Sequence, residues 1–149
     1  MTRILSLDDE SEMLDLLCLI LRRAGYESLC TTDEEEALSI LRTQPIDLLT
    51  QDFMRPGIGG WEFLRLMKSD AGLRDIPILG ISAGPRDMRA RQLKQMGLDI
   101  DRDLDGYVTK PYGPIELLDA VAAALTKRSK PVPAQAVQFR AKFITRHPT

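Results

Sequence analysis

Ile46-Asp47-Leu48-Leu49-Thr50-Gln51 is a short, largely apolar run that follows Pro45 and stops on an aspartate, Asp52. A run of this length beside a turn residue reads as a buried strand rather than as part of a helix. The same pattern recurs on either side. Ile4-Leu5-Ser6-Leu7 stops on Asp8-Asp9, Pro77-Ile78-Leu79-Gly80-Ile81 stops on Ser82, and residues 106–109 stop on Lys110-Pro111. A further strand is expected at about 27–30. Between these runs lie stretches of helical spacing. Leu14, Leu17, Cys18 and Leu21 mark one face of a helix over about 11–24, and Gly25 sits where such a helix stops. Thr32 or Asp33 can cap a second helix, with Ala37, Leu38 and Leu41 as its apolar face. Pro56, Gly57, Gly59 and Gly60 form a loop before a third helix at about 61–68. Two more are expected at about 86–96 and 114–125, the last opening on Pro114, where a missing N–H costs nothing. Five strands alternating with five helices imply a parallel sheet covered on both faces, a doubly wound three-layer α/β domain.

The bulk properties agree. A chain of 149 residues, 44% hydrophobic and 28% charged, supports one globular domain. The longest apolar stretch, residues 16–21, is fenced by Asp15 and Arg22 and falls far short of the roughly 18 residues of a membrane span. The amino terminus shows no signal-peptide pattern, so a cytoplasmic location is expected. Cys18 and Cys30 are too few for a disulfide framework and lack metal-ligand spacing, and are expected to be buried reduced thiols. The lone histidine, His147, gives no scope for a zinc site or a histidine-based triad. Charge is unevenly spread: residues 1–126 carry 14 bases and 22 acids, a net of -8, whereas residues 127–149 carry six bases and no acids, a net of +6. The sequence thus divides into a domain at 1–126 and a basic, proline-containing linker or tail at 127–149. In that tail Val137, Ala141 and Ile144, with Phe139 and Phe143, have the spacing of a short amphipathic helix.

Ligands of open parallel α/β sheets bind at the carboxyl ends of the strands. Asp8, Asp9, Asp52, Ser82 and Lys110 all end strands, so three carboxylates, a hydroxyl and an ammonium converge on one rim. Clustered carboxylates repel one another and call for a cation. Oxygen donors alone favour a hard ion such as Mg²⁺, which takes one or two carboxylates together with phosphate oxygens. Asp52, on the central strand, is then a nucleophile for a phosphoryl group, with Lys110 and Ser82 placed to meet its oxygens.

These residues closely resemble the receiver domains of two-component response regulators, the CheY-like family. The resemblance rests on Asp8-Asp9-Glu10, on Asp52 with Pro56 and Gly60, on Ser82-Ala83, and on Tyr107 with Lys110-Pro111, and it covers about residues 2–126. It implies a flavodoxin-like sandwich with strand order 2-1-3-4-5. It implies further that Asp52 is the phosphoacceptor, that Asp9 binds Mg²⁺ directly with Asp8 assisting through water, and that Asp52 and the main-chain carbonyl of Met54 complete the metal site. Ser82 would shift toward the phosphoryl group and Lys110 would contact it. Tyr107 would rotate to report phosphorylation to the surface of the fourth helix, fifth strand and final helix. The implied donor is a histidine kinase or phosphotransfer protein, and the implied output is a downstream protein, a missing output domain or a homodimer. The receiver itself is not expected to bind nucleic acid. Such a chain is a signalling module rather than an enzyme, although it catalyses its own phosphorylation.

Three features depart from the pattern. The interval from Ser82 to Lys110 is about six residues long in excess, and the surplus lies in the acidic run around 99–105, expected to be a solvated loop extension. Counted from Asp101 as a calcium loop, the twelfth position is Tyr112 rather than a glutamate, which argues against an EF-hand. Gln51 is polar where the family is commonly apolar. Met54 offers no side-chain base to orient water, so slow loss of the phosphoryl group is expected. Two other readings stand beside the switch: the receiver part of a longer DNA-binding regulator, and a receiver-like interaction module that works without phosphorylation. A phosphatase of the haloacid dehalogenase type is disfavoured, because Met54 stands where its second acid is required.

Overall fold

The computed structural model describes residues 1–53, 59–136 and 138. Its elements are β1 (Arg3–Leu7), α1 (Ser11–Arg23), β2 (Glu27–Thr31), α2 (Glu34–Thr43), β3 (Leu48–Asp52), α3 (Gly59–Ser69), β4 (Ile78–Ser82), α4 (Arg86–Gln95), α5 (Ile100–Asp103), β5 (Gly106–Thr109) and α6 (Pro114–Lys127). The five strands form one parallel sheet in the order β2-β1-β3-β4-β5. No described helix is long and apolar enough to cross a membrane.

Alternation along the strands divides the core into two layers. Ile4, Leu48, Leu79, Ile81 and Val108 face α1 and α6, meeting Leu14, Leu17 and Leu21 on one and Leu117, Val121 and Leu125 on the other. Leu5, Leu7, Leu49 and Ile78 face the opposite way, onto Ala37 and Leu41 of α2, Phe63, Leu64 and Met67 of α3, and Leu93 of α4. Both faces of β3 and β4 are therefore buried, which is why neither strand alternates between buried and exposed positions. α1 ends at Gly25, whose φ of +96° is the left-handed conformation that a glycine adopts without penalty. Asp33 caps α2 by accepting the Glu35 N–H at 3.0 Å.

The acidic run is not the solvated loop expected. It forms a sixth helix, α5, docked on the α2–α4 side of the sheet, with Ile100 and Leu104 buried in that core layer. Its carboxylates have specific work. Asp99 caps the helix by accepting from Asp101 N and Arg102 N, while Asp103 accepts the Asp99 N–H at 2.8 Å and pairs with Arg102. Asp105, with its side chain 1% exposed, accepts from Ile78 N at 2.9 Å and from Arg128 Nε at 2.7 Å. Apolar anchors four residues apart and capping hydrogen bonds order this segment.

A second correction concerns the cysteines. Cys18 of α1 and Cys30 of β2 were expected to be separate buried thiols, but the structure brings their sulfurs together. Packing of α1 on the sheet edge brings their Cα atoms to 6.6 Å, inside the range that a disulfide spans. Beyond α6 the chain runs back along the amino-terminal edge of the sheet. Thr2 Oγ1 donates to Pro131 O at 2.7 Å, Gln135 Nε2 donates to Arg23 O at 3.2 Å, and Ala136 is buried against the α1–α6 layer. The tail positions Val137, Phe139, Ala141, Phe143, Ile144 and His147 lie outside the described residues, as do Met54, Pro56 and Gly57.

Candidate functional site

Three strand ends build the site. β1 runs into Asp8 and Asp9, and β3 ends on Asp52 beside it; Asp8 and Asp52 are buried and Asp9 is exposed. Each of the three offers a carboxylate oxygen within 4.8 Å of the others. Asp8 is held in orientation by the Glu10 N–H, which donates to its Oδ1 at 2.9 Å. Lys110, immediately after β5, reaches across the rim and donates to Asp8 Oδ2 at 3.1 Å and to Asp52 Oδ2 at 3.0 Å. Three carboxylates against one ammonium leave a formal surplus of two negative charges, the charge of one divalent cation. Burial acts to lower the Lys110 pKa, but the bonds and charges of Asp52 and Asp8 outweigh it and hold the ammonium above the ordinary lysine value. Burial also raises the pKa of the neighbouring Tyr112 phenol, on which the charges of Lys110, Asp8 and Asp52 act as well.

Ser82 ends β4 on the adjoining strand. Its main-chain carbonyl accepts from Lys110 N at 2.8 Å, which ties the two strand ends together. Its hydroxyl is fully buried and accepts two hydrogen bonds, from Gly84 N at 3.2 Å and from Arg89 Nε at 2.8 Å. Tyr107 of β5 donates its hydroxyl to Gly84 O at 2.7 Å. Its ring borders a cleft of about 140 Å³ whose other walls include Arg86, Asp101, Leu104 and Lys127. Phe53 follows Asp52 directly and stacks on Trp61 of α3 at 4.9 Å, which places the chain's single tryptophan one side chain from the acidic cluster.

The structure thus brings Asp8, Asp9, Asp52 and Lys110 into one cluster, with Ser82 and Tyr107 joined to it through the ends of β4 and β5. Met54 lies outside the described residues. Gln51 is fully buried in β3. Sequence reasoning missed Arg89. It lies in a strongly polar helix, among Arg86, Asp87 and Arg91, where an arginine ordinarily points to water, yet it is only 5% exposed. One available signal was Gly84, two residues after Ser82: a Cβ there would stand 2.6 Å from Arg89 Nη2.

Sheet order, the acidic rim and its lysine together define a receiver-type α/β domain. The family model of the response regulator receiver domain matches residues 4–122, and the chain belongs to that family. The acidic triad is consistent with the phosphorylation site of a two-component receiver and typical of its Mg²⁺ site. Among curated relatives, the phosphate regulon transcriptional regulatory protein PhoB of Klebsiella pneumoniae is 32% identical over 128 residues, 85% of this chain and 53% of the relative. PhoB of Pseudomonas aeruginosa is 34% identical over 125 residues, covering 83% and 52%. The DNA-binding response regulator MtrA of Mycolicibacterium smegmatis is 31% identical over 133 residues, covering 89% and 54%. The chain spans about half the length of these relatives. Among solved structures, the chemotaxis response regulator CheY4 of Vibrio cholerae superposes with a TM-score of 0.71 at 24% identity, covering 83% of this chain and 98% of its own. At that identity the likeness shows the fold alone.

Proposed function

We propose that this domain is a phosphoacceptor switch that takes a phosphoryl group from the phosphohistidine of a histidine kinase or phosphotransfer protein onto Asp52. The observation that carries this reading is the setting of Asp52: a buried carboxylate at the end of the central strand, clustered with Asp8 and Asp9 and bonded to Lys110. In the transfer, a carboxylate oxygen of Asp52 bonds to phosphorus as the phosphorus–nitrogen bond of the donor breaks, and the donor's ring nitrogen keeps the bonding pair. Lys110 exchanges part of its bridge for a phosphoryl oxygen and so keeps the new charge neutralised. The Ser82 hydroxyl donates to another phosphoryl oxygen, and Tyr107, bonded to the carbonyl two residues on, couples that end of β4 to the cleft beside α4 and α5.

The residues present fit a divalent cation. Their donors are all oxygen, and their charge exceeds what Lys110 balances. Asp8, Asp9 and Asp52 would hold Mg²⁺, with the Met54 carbonyl as a further oxygen. Bound there, Mg²⁺ would supply charge neutralisation to the phosphoryl oxygens. In this reading residues 1–126 are the receiver and 127–149 a basic, proline-containing tail, whose described residues Pro131, Gln135 and Ala136 pack against the domain. The domain is then a signalling module, and the apolar Met54 suits a slow loss of the phosphoryl group.

The test is intact-mass measurement after incubation with Mg²⁺ and a small acyl phosphate, on wild type and Asp52→Ala. One phosphoryl group gained by wild type alone, and not gained in EDTA, is expected. No gain by wild type, with no Trp61 fluorescence response to beryllofluoride, would replace this reading with a phosphorylation-independent interaction module. The names and lengths of the PhoB and MtrA relatives favour a second reading of the output, in which such a receiver governs a DNA-binding partner domain. Salt-dependent DNA binding by the natural protein, strengthened by phosphorylation, would support it.

A further inference from the structure

We propose that Arg89 is a positioning residue for phosphoryl transfer: its guanidinium fixes the Ser82 hydroxyl so that the O–H is left to donate to the phosphoryl group. This rests on the reading of Asp52 as phosphoacceptor. A serine hydroxyl has one hydrogen to donate and two lone pairs to accept with. Here Gly84 N and Arg89 Nε occupy the accepting side at 3.2 and 2.8 Å. The O–H is the hydrogen-bonding function that remains, and it belongs to a side chain with no exposure to solvent.

The arginine is itself held. Its Nη1 donates to Gln92 Oε1 at 2.6 Å, one turn further along α4, so the guanidinium spans from helix to strand end in a fixed plane. The space it fills exists because residue 84 is glycine. A Cβ there would lie 2.6 Å from Arg89 Nη2 and 2.9 Å from Cζ. Gly84, Arg89 and Gln92 thus form one unit whose effect is to immobilise the Ser82 hydroxyl before a phosphoryl group arrives, which removes an ordering cost from the transfer step. The cation does this through Ser82.

A double-mutant cycle separates this role from mere tethering of α4 to β4. The initial phosphorylation rate with a small acyl phosphate and Mg²⁺ is measured for wild type, Arg89→Met, Ser82→Ala and the double variant, alongside thermal stability. Beryllofluoride affinity is read by Trp61 fluorescence in the same four proteins. Arg89→Met and Ser82→Ala are each expected to slow phosphorylation by about tenfold, the usual worth of one hydrogen bond to a charged group. The double variant is expected to be no slower than Ser82→Ala, with thermal stability confirming that all four proteins are folded. Beryllofluoride binding should weaken in the same non-additive way. Gly84→Ala, which displaces the guanidinium without removing it, should mimic Arg89→Met, and Arg91→Met, on the exposed face of α4, should leave the rate within about twofold. Rate losses that multiply in the double variant, or a wild-type rate in a folded Arg89→Met or Gly84→Ala, would overturn the assignment even though wild type is phosphorylated. A wild type that accepts no phosphoryl group would instead remove the reading on which it stands.

Discussion

Replacing Lys110 by methionine is expected to destabilise the domain strongly in EDTA and much less in Mg²⁺. The side chains of Asp8 and Asp52 are 8% and 2% exposed, and Lys110 is bonded to both. Methionine keeps most of the length and removes the charge, leaving two buried carboxylates and the nearby Asp9 without their cation. Removing one partner of a buried ion pair costs about 3–5 kcal/mol, and the rim position of this one argues for about 3 kcal/mol. For a domain of this size that is a fall of roughly 10 °C in Tm. Mg²⁺ acts in the opposite direction, because the ammonium and the divalent ion compete for the same oxygens. At a hundred times its Kd a ligand stabilises by about 2.7 kcal/mol. The variant, with no competing ammonium, should gain that in full and wild type less, so the difference should shrink to about 1 kcal/mol. Urea unfolding followed by Trp61 fluorescence at pH 7–8 measures it. The Lys110 pKa is raised, so its contribution is complete below the ordinary lysine value of 10.5 and is lost only as pH rises through the higher folded value. Titration of the lysine therefore does not enter at pH 7–8. A loss below about 1 kcal/mol in EDTA, or one that Mg²⁺ leaves unchanged, would refute the view that Lys110 is the counterion of this cluster.

Three further expectations concern the acidic segment. Leu104→Ala should cost about 2–4 kcal/mol in urea unfolding, as for other buried leucines, whereas Asp101→Ala, on an exposed side chain paired with the exposed Arg86, should stay within about 0.5 kcal/mol. Equal effects would return α5 to the status of a surface loop. Asp105→Ala strands the Ile78 N–H and the Arg128 guanidinium and should cost about 2–4 kcal/mol, with Arg128→Ala costing less. For Asp103, burial acts to raise the carboxyl pKa, but the bonds from Arg102 and the Asp99 N–H outweigh it and hold the group below the ordinary aspartate value of 3.8. Its contribution is therefore present above that value and lost as pH falls through the lower folded one. The stability difference between wild type and Asp103→Asn should be flat from pH 6 to 8 and shrink below about pH 4.

Much of this architecture was legible because β1 and β4 are short apolar runs and β1, β3, β4 and β5 each end at a residue of the rim. Asp8 and Asp9, Asp52, Ser82 and Lys110 could be placed from strand ends alone, since a parallel sheet gathers its carboxyl ends on one edge. What escaped was set by contacts between distant segments. Ile100 and Leu104 are too few to declare a helix, and four aspartates between residues 99 and 105 resemble a solvated loop until their caps and partners are seen. Arg89 carries no periodicity signal; its burial follows from the space over Gly84. The approach of Cys18 to Cys30 depends on how α1 lies on β2, which no local pattern encodes.

The most direct test of the central claim is chemical mapping of the phosphorylated residue. An aspartyl phosphate is reduced by borohydride to homoserine, and peptide mass spectrometry locates the change. Wild type treated with the acyl phosphate and Mg²⁺ should carry homoserine at position 52 alone, and none in EDTA. Homoserine at Asp8, Asp9 or elsewhere, or none under any condition, would contradict the assignment of Asp52 as the phosphoacceptor.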